Sequence, residues 1–278
     1  VTGVDGEKIA DLARDFARAR KPLAICGRGA GQTPGSLQDF LAVHMLNALV
    51  GNLNRAGGFV AIPEADYISW PEAEIDKTAA RGLQQTRADG AGSKEYPHAR
   101  YLMNRLPEVI NSSQESPVQV LFISGANPAY SMPDTQPMSN ALEKIPLVVS
   151  FSSYMDETAA HADMILPNHT YLERYEDVAV ARGFPKPCIG LTRPVIEPLY
   201  NTRHVGDVII QLAKEMGDLI AAAFPWDDYQ VCLEETLEDK WDTLVEEGFW
   251  VDAEYSGSDW TEAFETDSSK FEFSNQEI

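Results

Sequence analysis

Four short stretches carry the residue types that could do chemistry. Cys26-Gly27-Arg28-Gly29-Ala30-Gly31-Gln32 follows the apolar run Leu23-Ala24-Ile25. Ser124-Gly125-Ala126-Asn127-Pro128 follows an apolar run at 118–123, and Ser150-Phe151-Ser152-Ser153 follows Leu147-Val148-Val149. Asp156-Glu157-Thr158, with Asp163 close behind, gathers three acids near a strand end. Loops at the carboxyl ends of strands are where open α/β sheets bind ligands. Glycine lets backbone N–H groups come close to a phosphate, and a helix start adds a favourable dipole. Arg28 could pair with a phosphate or, equally, with a surface carboxylate. Asn127 offers an amide that can hydrogen-bond a base or a ribose, while Pro128 keeps the loop extended; a structural Asx turn uses the same residues. The acids could accept bonds from a base N–H, an exocyclic amine or ribose hydroxyls, or cap the short helix they begin.

Other chemistries find little support. The first loop is not GxGxxG and lacks the Walker A lysine, which argues against an NTPase. Cys26, Cys188 and Cys232 are widely spaced with no CxxC pair, so neither a zinc knuckle nor an iron–sulfur cluster held by this chain alone is expected. His161, Asp163 and His169 read as hydrogen-bonded structural residues rather than metal ligands. No nucleophile, base and orienting group can be assembled, so no catalytic residue is assigned.

The elements that position these loops read as an α/β fold. Ile9, Leu12, Ala13 and Phe16 recur on one helical face over residues 7–20. A strand at Leu23-Ala24-Ile25, the glycine loop and a helix capped by Ser36 then make half of a βαβ unit. Residues 60–116 read as a long irregular insertion with one helix, near 100–110. The pattern resumes with a strand at 118–123, a weak helix at 137–144, a strand at 147–151, a helical turn at 156–161 and a short strand at 164–167. A helix at 204–216 closes on Gly217. Alternation of this kind predicts an open, mostly parallel, doubly wound Rossmann-like sheet. The expected division is a cofactor-binding α/β region at 1–217 and an acidic, partly helical tail at 218–278.

The chain has 278 residues, 44% of them hydrophobic, enough for one large or two small cores. A formal charge of −21 makes it a poor binder of nucleic acid or anionic membrane. No apolar run reaches the length of a membrane span. The chain opens on Val1 rather than Met, so it is expected to begin inside a longer protein.

In order along the chain, the motifs form a recognisable set. After the Gly27–Gln32 loop come Leu46-Asn47-Ala48-Leu49-Val50-Gly51-Asn52-Leu53-Asn54-Arg55-Ala56-Gly57-Gly58 and Gly125-Ala126-Asn127-Pro128. Asp156-Glu157-Thr158-Ala159 and Ala162-Asp163-Met164-Ile165-Leu166-Pro167 complete it. The set, over about residues 1–217, resembles the molybdopterin oxidoreductases of the dimethylsulfoxide reductase type. His169-Thr170-Tyr171-Leu172-Glu173-Arg174-Tyr175-Glu176 and Arg193-Pro194-Val195-Ile196-Glu197-Pro198-Leu199-Tyr200 resemble the polysulfide and thiosulfate reductase branch. The stretch 150–158 looks closer still to molybdopterin-binding-like subunits of menaquinone reductase complexes.

That resemblance implies a cofactor, molybdopterin guanine dinucleotide, two copies of which hold molybdenum or tungsten in the family. By resemblance, Gly27, Arg28, Gly29, Ala30, Gly31 and Gln32 meet the pterin and diphosphate end. By the same resemblance Asn127, Ser131 and Ser150 lie near the guanosine end, Gly125, Pro128 and Ser152 also bind the cofactor, and Asp156, Thr158 and Asp163 bind it or only shape the loop. The family's cysteines for a 4Fe–4S cluster, its metal-ligating residue and its C-terminal barrel-like domain are not in these residues, while Ser269-Lys270-Phe271-Glu272-Phe273 resembles the segment just before that domain. The implied parent is an anaerobic respiratory oxidoreductase, and this portion alone is not expected to catalyse. Its implied partners are the remaining domains, an iron–sulfur electron-transfer subunit and a membrane subunit that meets quinone. The parent would be periplasmic and membrane-associated, or alternatively cytoplasmic. A rival reading is a non-catalytic scaffold subunit of a quinone reductase complex.

Overall fold

The computed structural model describes residues 2–26, 36–60, 62, 65, 70–72, 74–97, 99–179, 184–257, 264 and 266–274. The Gly27–Gln32 loop lies outside them. Contacts divide the chain into two units, one of residues 1–63, 92–100 and 255–278 and one of residues 64–91 and 101–254.

In the first unit, helix α1 (Gly6–Arg18) starts at Asp5, whose carboxylate accepts the Glu7 N–H at 2.8 Å. The apolar stripe predicted for it is present, yet no residue of α1 is buried. Helix α2 (Ser36–Leu49) buries His44 and Asn47, with the His44 ring between Phe40 and Phe59. Leu23-Ala24-Ile25 forms no strand among the described residues. The Asn47 side chain takes the place of a neighbouring strand: its amide donates to the Ala24 carbonyl and its oxygen accepts the Ala24 N–H, both at 2.9 Å. Asn52 likewise donates to the Pro22 carbonyl. A buried amide that matches a backbone donor and acceptor satisfies the pair without a ladder.

The second unit holds two sheets. Helices α3 (Lys77–Leu83) and α4 (Leu106–Ser112) precede β1 (Val120–Ile123), so the stretch read as irregular contains two helices. A short helix α5 (Pro128–Ser131) and then α6 (Thr135–Lys144) carry the chain back to β2 (Leu147–Ser150). Strand β3 (Met164–Ile165) follows one turn of 3-10 helix at Ala159–His161. The three strands pair in parallel in the order β1-β2-β3, with Val120 opposite Leu147 and Ser150 opposite Ile165. Parallel pairing needs a crossover, and α6 supplies it. Ile110, Ile123, Met138, Ala141, Leu142, Ile145 and Val148 close the core beneath, Val148 and Ala141 with no exposed surface. Each large aliphatic group so buried contributes about 1.5–3 kcal/mol. This is the parallel α/β arrangement expected from the sequence.

The second sheet was not foreseen. Strands β4 (Glu176–Ala179), β5 (Cys188–Thr192) and β6 (Phe249–Val251) pair antiparallel in that order, Asp177 opposite Leu191 and Ile189 opposite Trp250. Helices α7 (Val205–Met216) and α8 (Asp218–Ala222) lie between β5 and β6 in sequence. Helices α9 (Tyr229–Leu237) and α10 (Trp241–Glu247) follow. Leu233, Leu237 and Leu244 of α9 and α10 pack on Ile189 and Leu191 in one core. The acidic stretch is therefore helical as expected up to residue 247, and its apolar faces are buried.

Candidate functional site

The loops that leave β1 and β2 form one wall of an open cleft of about 680 Å³ in the second unit. Ser124, Gly125, Ala126 and Asn127 line it from β1; Ser152, Ser153, Tyr154 and Asp156 line it from β2. Gly125 sits at φ +63°, where a side chain is strained, and a Cβ there would meet nothing within 4 Å, so the loop opens onto free space. Neither the Gly125 nor the Ala126 N–H finds an acceptor among the described residues.

Hydrogen bonds from below hold this wall. Asn127 Oδ1 accepts the Thr158 hydroxyl at 2.7 Å and the Thr158 N–H at 3.2 Å, and its amide donates to Glu157 Oε2 at 2.7 Å. That bond holds the Glu157 carboxyl below its ordinary value. The Thr158 hydroxyl, wholly buried, also accepts the Ala129 N–H at 3.0 Å and so caps the first turn of α5. Asp156 accepts the Ser152 hydroxyl at 2.8 Å and the Ala159 N–H at 2.7 Å. Ser150 lies buried beneath, its hydroxyl accepting the Ser152 N–H at 3.3 Å. Asp163 accepts the Val148 N–H at 2.8 Å and thereby ties the chain to β2.

The opposite wall comes from residues distant in sequence: Asn168, Arg174, Glu176, Asp177, His204, Gly206 and Tyr229. Arg174 grips Glu176 Oε2 through Nε at 3.1 Å and Nη2 at 2.8 Å, and donates to the His169 carbonyl at 2.9 Å. Glu173 braces the turn behind it by accepting the N–H groups of Thr170 at 2.9 Å and Leu199 at 3.1 Å; those bonds lower its carboxyl's affinity for a proton. Asn168 Oδ1 accepts the Val205 N–H at 3.0 Å, and Ser153 donates to the Asn168 carbonyl at 2.6 Å, joining the two walls.

His204 is the N-cap of α7. Its Nδ1 accepts the Gly206 N–H at 3.0 Å, and its ring stacks on Tyr229 at 4.5 Å and 17°. Because Nδ1 accepts, the neutral ring carries its proton on Nε2. Burial pushes the imidazole below its ordinary value, and the Arg174 charge adds to that against Asp207. Tyr229 donates its hydroxyl to Asp177; burial, then that bond and charge, push the phenol far above the usual range. The cleft is thus lined by three carboxylates, Asp156, Glu176 and Asp177, against one cation, Arg174.

Of the residues singled out in the sequence, Gly125, Asn127, Ser152 and Asp156 line the cleft together. Ser150 and Thr158 lie under it, Asp163 serves the sheet, and Pro128 and Ser131 begin and end α5. Gly27, Arg28, Gly29, Ala30, Gly31 and Gln32 fall outside the described residues. His161, Asp163 and His169 make separate contacts, with Glu143, Val148 and Thr202 respectively. Among the described residues no cluster of three or more His, Cys, Asp or Glu is placed to hold a metal ion. No helix among them is long and apolar enough to cross a membrane. The far wall escaped sequence reasoning, although the His204-Val205-Gly206-Asp207 helix start was a local signal for part of it.

Comparison with known proteins decides the family. The family model described as molybdopterin oxidoreductase matches residues 9–215. The chain belongs to the molybdopterin oxidoreductase family. It is 33% identical over 228 residues to the menaquinone reductase molybdopterin-binding-like subunit of Nitratidesulfovibrio vulgaris, covering 80% of this chain and 29% of that protein. It is 27% identical over 241 residues to a thiosulfate reductase molybdopterin-containing subunit of Salmonella typhimurium, covering 80% of this chain and 31% of that one. Acetylene hydratase from Pelobacter acetylenicus shares the fold with a TM-score of 0.66 at 20% identity, over 90% of this chain and 38% of that chain. The chain thus spans about a third of the length of the curated relatives it matches. In this family member the cleft lies at the carboxyl ends of parallel strands, the end at which open α/β sheets in general bind ligands.

Proposed function

We propose that this chain is the cofactor-cradling portion of a molybdopterin-dependent oxidoreductase of anaerobic respiratory electron transfer, and that its cleft takes the guanosine end of a molybdopterin guanine dinucleotide. The observation that carries this reading is the open wall at the carboxyl ends of β1 and β2, where the Gly125 and Ala126 N–H groups after β1 have no acceptor among the described residues. The donor set fits a nucleoside. Carboxylates accept from ring N–H and amine groups, and free backbone N–H groups donate to carbonyl or ribose oxygens. Three carboxylates with one paired arginine suit a diphosphate poorly. A bound cofactor supplies the metal, molybdenum or tungsten, that changes oxidation state. What the described residues contribute is binding: Asn127 and Thr158 fix the loop, Asp156 fixes the next, and Arg174 keeps Glu176 in place.

The whole protein, on this reading, passes electrons through a 4Fe–4S cluster and an iron–sulfur partner toward a membrane subunit and its quinone, at the periplasmic face. The name of one relative, a molybdopterin-binding-like subunit, favours a second reading in which the fold serves as a scaffold without the metal. Metal analysis and acid hydrolysis of the full-length protein from anaerobically grown cells separate the two. Guanosine monophosphate released together with molybdenum or tungsten supports the enzyme. A protein free of both is the scaffold, and the cofactor reading then fails.

A further inference from the structure

We propose that His204 is a ligand-binding residue of the cleft, whose Nε2–H donates to a neutral acceptor atom of the bound nucleoside. The inference rests on the reading of the cleft given above and extends it to a residue that no loop motif contains.

His204 lines the cleft, yet only 9% of its surface is exposed. Its Nδ1 is committed to the Gly206 N–H at 3.0 Å, which leaves the proton of the neutral ring on Nε2. Nε2 has no hydrogen-bond partner among the described residues. Polar groups of residues buried this far are as a rule paired, with protein, water or ligand. The ring cannot turn to relieve this cheaply, because its face is stacked on Tyr229, whose hydroxyl is anchored on Asp177. Gly206 closes the remaining side: a Cβ there would lie 2.6 Å from Tyr229 Cδ2 and 2.9 Å from His204 Nδ1. Cap, stack and glycine together hold one N–H donor in a fixed place on the wall.

The chemistry of the acceptor follows from the surroundings. Asp156, Glu176 and Asp177 line the same cleft, and Arg174 is already bonded to Glu176. A phosphate brought to His204 would meet net negative potential with no free cation. A carbonyl oxygen, ring nitrogen or ribose oxygen meets no such penalty. The bound group is therefore the nucleoside and not its phosphates.

The test uses the full-length protein made cofactor-free in cells that do not synthesise molybdopterin, with guanosine monophosphate and inorganic pyrophosphate as calorimetric probes. His204→Ser keeps a side-chain oxygen that caps α7 and removes the Nε2 donor; His204→Asn is the second variant should the first not fold. Loss of one hydrogen bond to the ligand predicts guanosine monophosphate binding weakened about tenfold in either variant, measured below the lowered unfolding temperature that loss of the ring stacked on Tyr229 brings. Unaltered affinity in a folded variant overturns the role of His204 while leaving the cleft reading intact. Pyrophosphate binding that shows the same dependence on His204 overturns the nucleoside assignment. No binding of guanosine monophosphate to the wild-type protein removes the cleft reading and this inference with it.

Discussion

Replacing Thr158 by valine tests whether the cleft wall is held from below. Valine keeps the shape and removes the hydroxyl, which accepts the Ala129 N–H at 3.0 Å and donates to Asn127 Oδ1 at 2.7 Å. The Asn127 oxygen retains the Thr158 backbone N–H at 3.2 Å, so it is not orphaned. Most of the cost falls on Ala129, which is 6% exposed and has no other acceptor. Loss of a neutral bond costs about 1 kcal/mol and a buried unpaired N–H about 1–3 kcal/mol, so Thr158→Val is expected to destabilise by about 2–4 kcal/mol. Thr158→Ser keeps both bonds and loses one methyl, at about 1 kcal/mol. Urea unfolding followed by tryptophan fluorescence, with Trp226 buried in the same unit, measures both. The order of the two variants carries the argument: if valine is tolerated as well as serine or better, the hydroxyl does not hold the loop and the reasoning is wrong.

Three further outcomes are expected. The Asp89 carboxyl is held at about 2 by the Arg87 guanidinium and by the N–H groups of Leu102 and Ala91. Its folded-state value is depressed, so its contribution is complete above about pH 4 and fades as pH falls toward 2. With the screening due to an exposed Arg87 taken into account, Asp89→Asn should cost about 1–2 kcal/mol at neutral pH, and a gap from wild type that stays constant down to pH 2 speaks against it. Gly206→Ala forces the Tyr229 ring aside and should destabilise by about 1–3 kcal/mol despite alanine's better helix propensity; unchanged stability would show that the ring has room. Cys188 and Cys232 are buried, and burial with the Asp177 charge pushes the Cys232 thiol up to about 11, whereas Cys26 is part-exposed. A disulfide reagent at pH 8 should therefore modify Cys26 rapidly and the other two only after unfolding, and rapid loss of two thiols from the folded protein contradicts the packing.

Legibility followed the range of the interactions involved. Helices α1, α2 and α7 stood out because period and capping act within a few residues: Asp5 and His204 start their helices and Gly217 ends α7. The loops at 124–128 and 150–153 were legible because an apolar run ending in small polar residues marks a strand end. Pairing across distance was not. Glu176–Ala179 holds one apolar residue large enough to suggest a strand, and only its ladder to Cys188–Thr192 makes it one. Leu23-Ala24-Ile25 has the composition of a strand, but Asn47 satisfies its backbone from a helix. The charge of α9 and α10 masked Leu233, Leu237 and Leu244, whose burial against β5 follows from their spacing once a partner sheet exists. Arg174, His204 and Tyr229 carry no mutual signal in the sequence, because three separate elements bring them together.

The two walls differ in how they meet a ligand, and that difference follows from their origins. The wall from β1 and β2 is backbone: its side chains are spent on one another, Asn127 on Thr158 and Ser152 on Asp156, and what it presents are the N–H groups of Gly125 and Ala126. The far wall is side chain: Asp177 is bonded to Tyr229 and Glu176 to Arg174, and the donors without a partner among the described residues include His204 Nε2 and the Asn168 amide. A carboxylate has lone pairs beyond the bonds each makes here, so Asp177 and Glu176 can still accept from a ligand while staying in place. On the reading proposed above, the cleft meets its ligand with neutral donors and carboxylate acceptors on both sides. That pattern matches a purine nucleoside, whose edge alternates donors and acceptors, and the ordering was done when the protein folded. On the proposed reading, then, little conformational entropy is lost on binding, which suits a cofactor that is inserted once and retained.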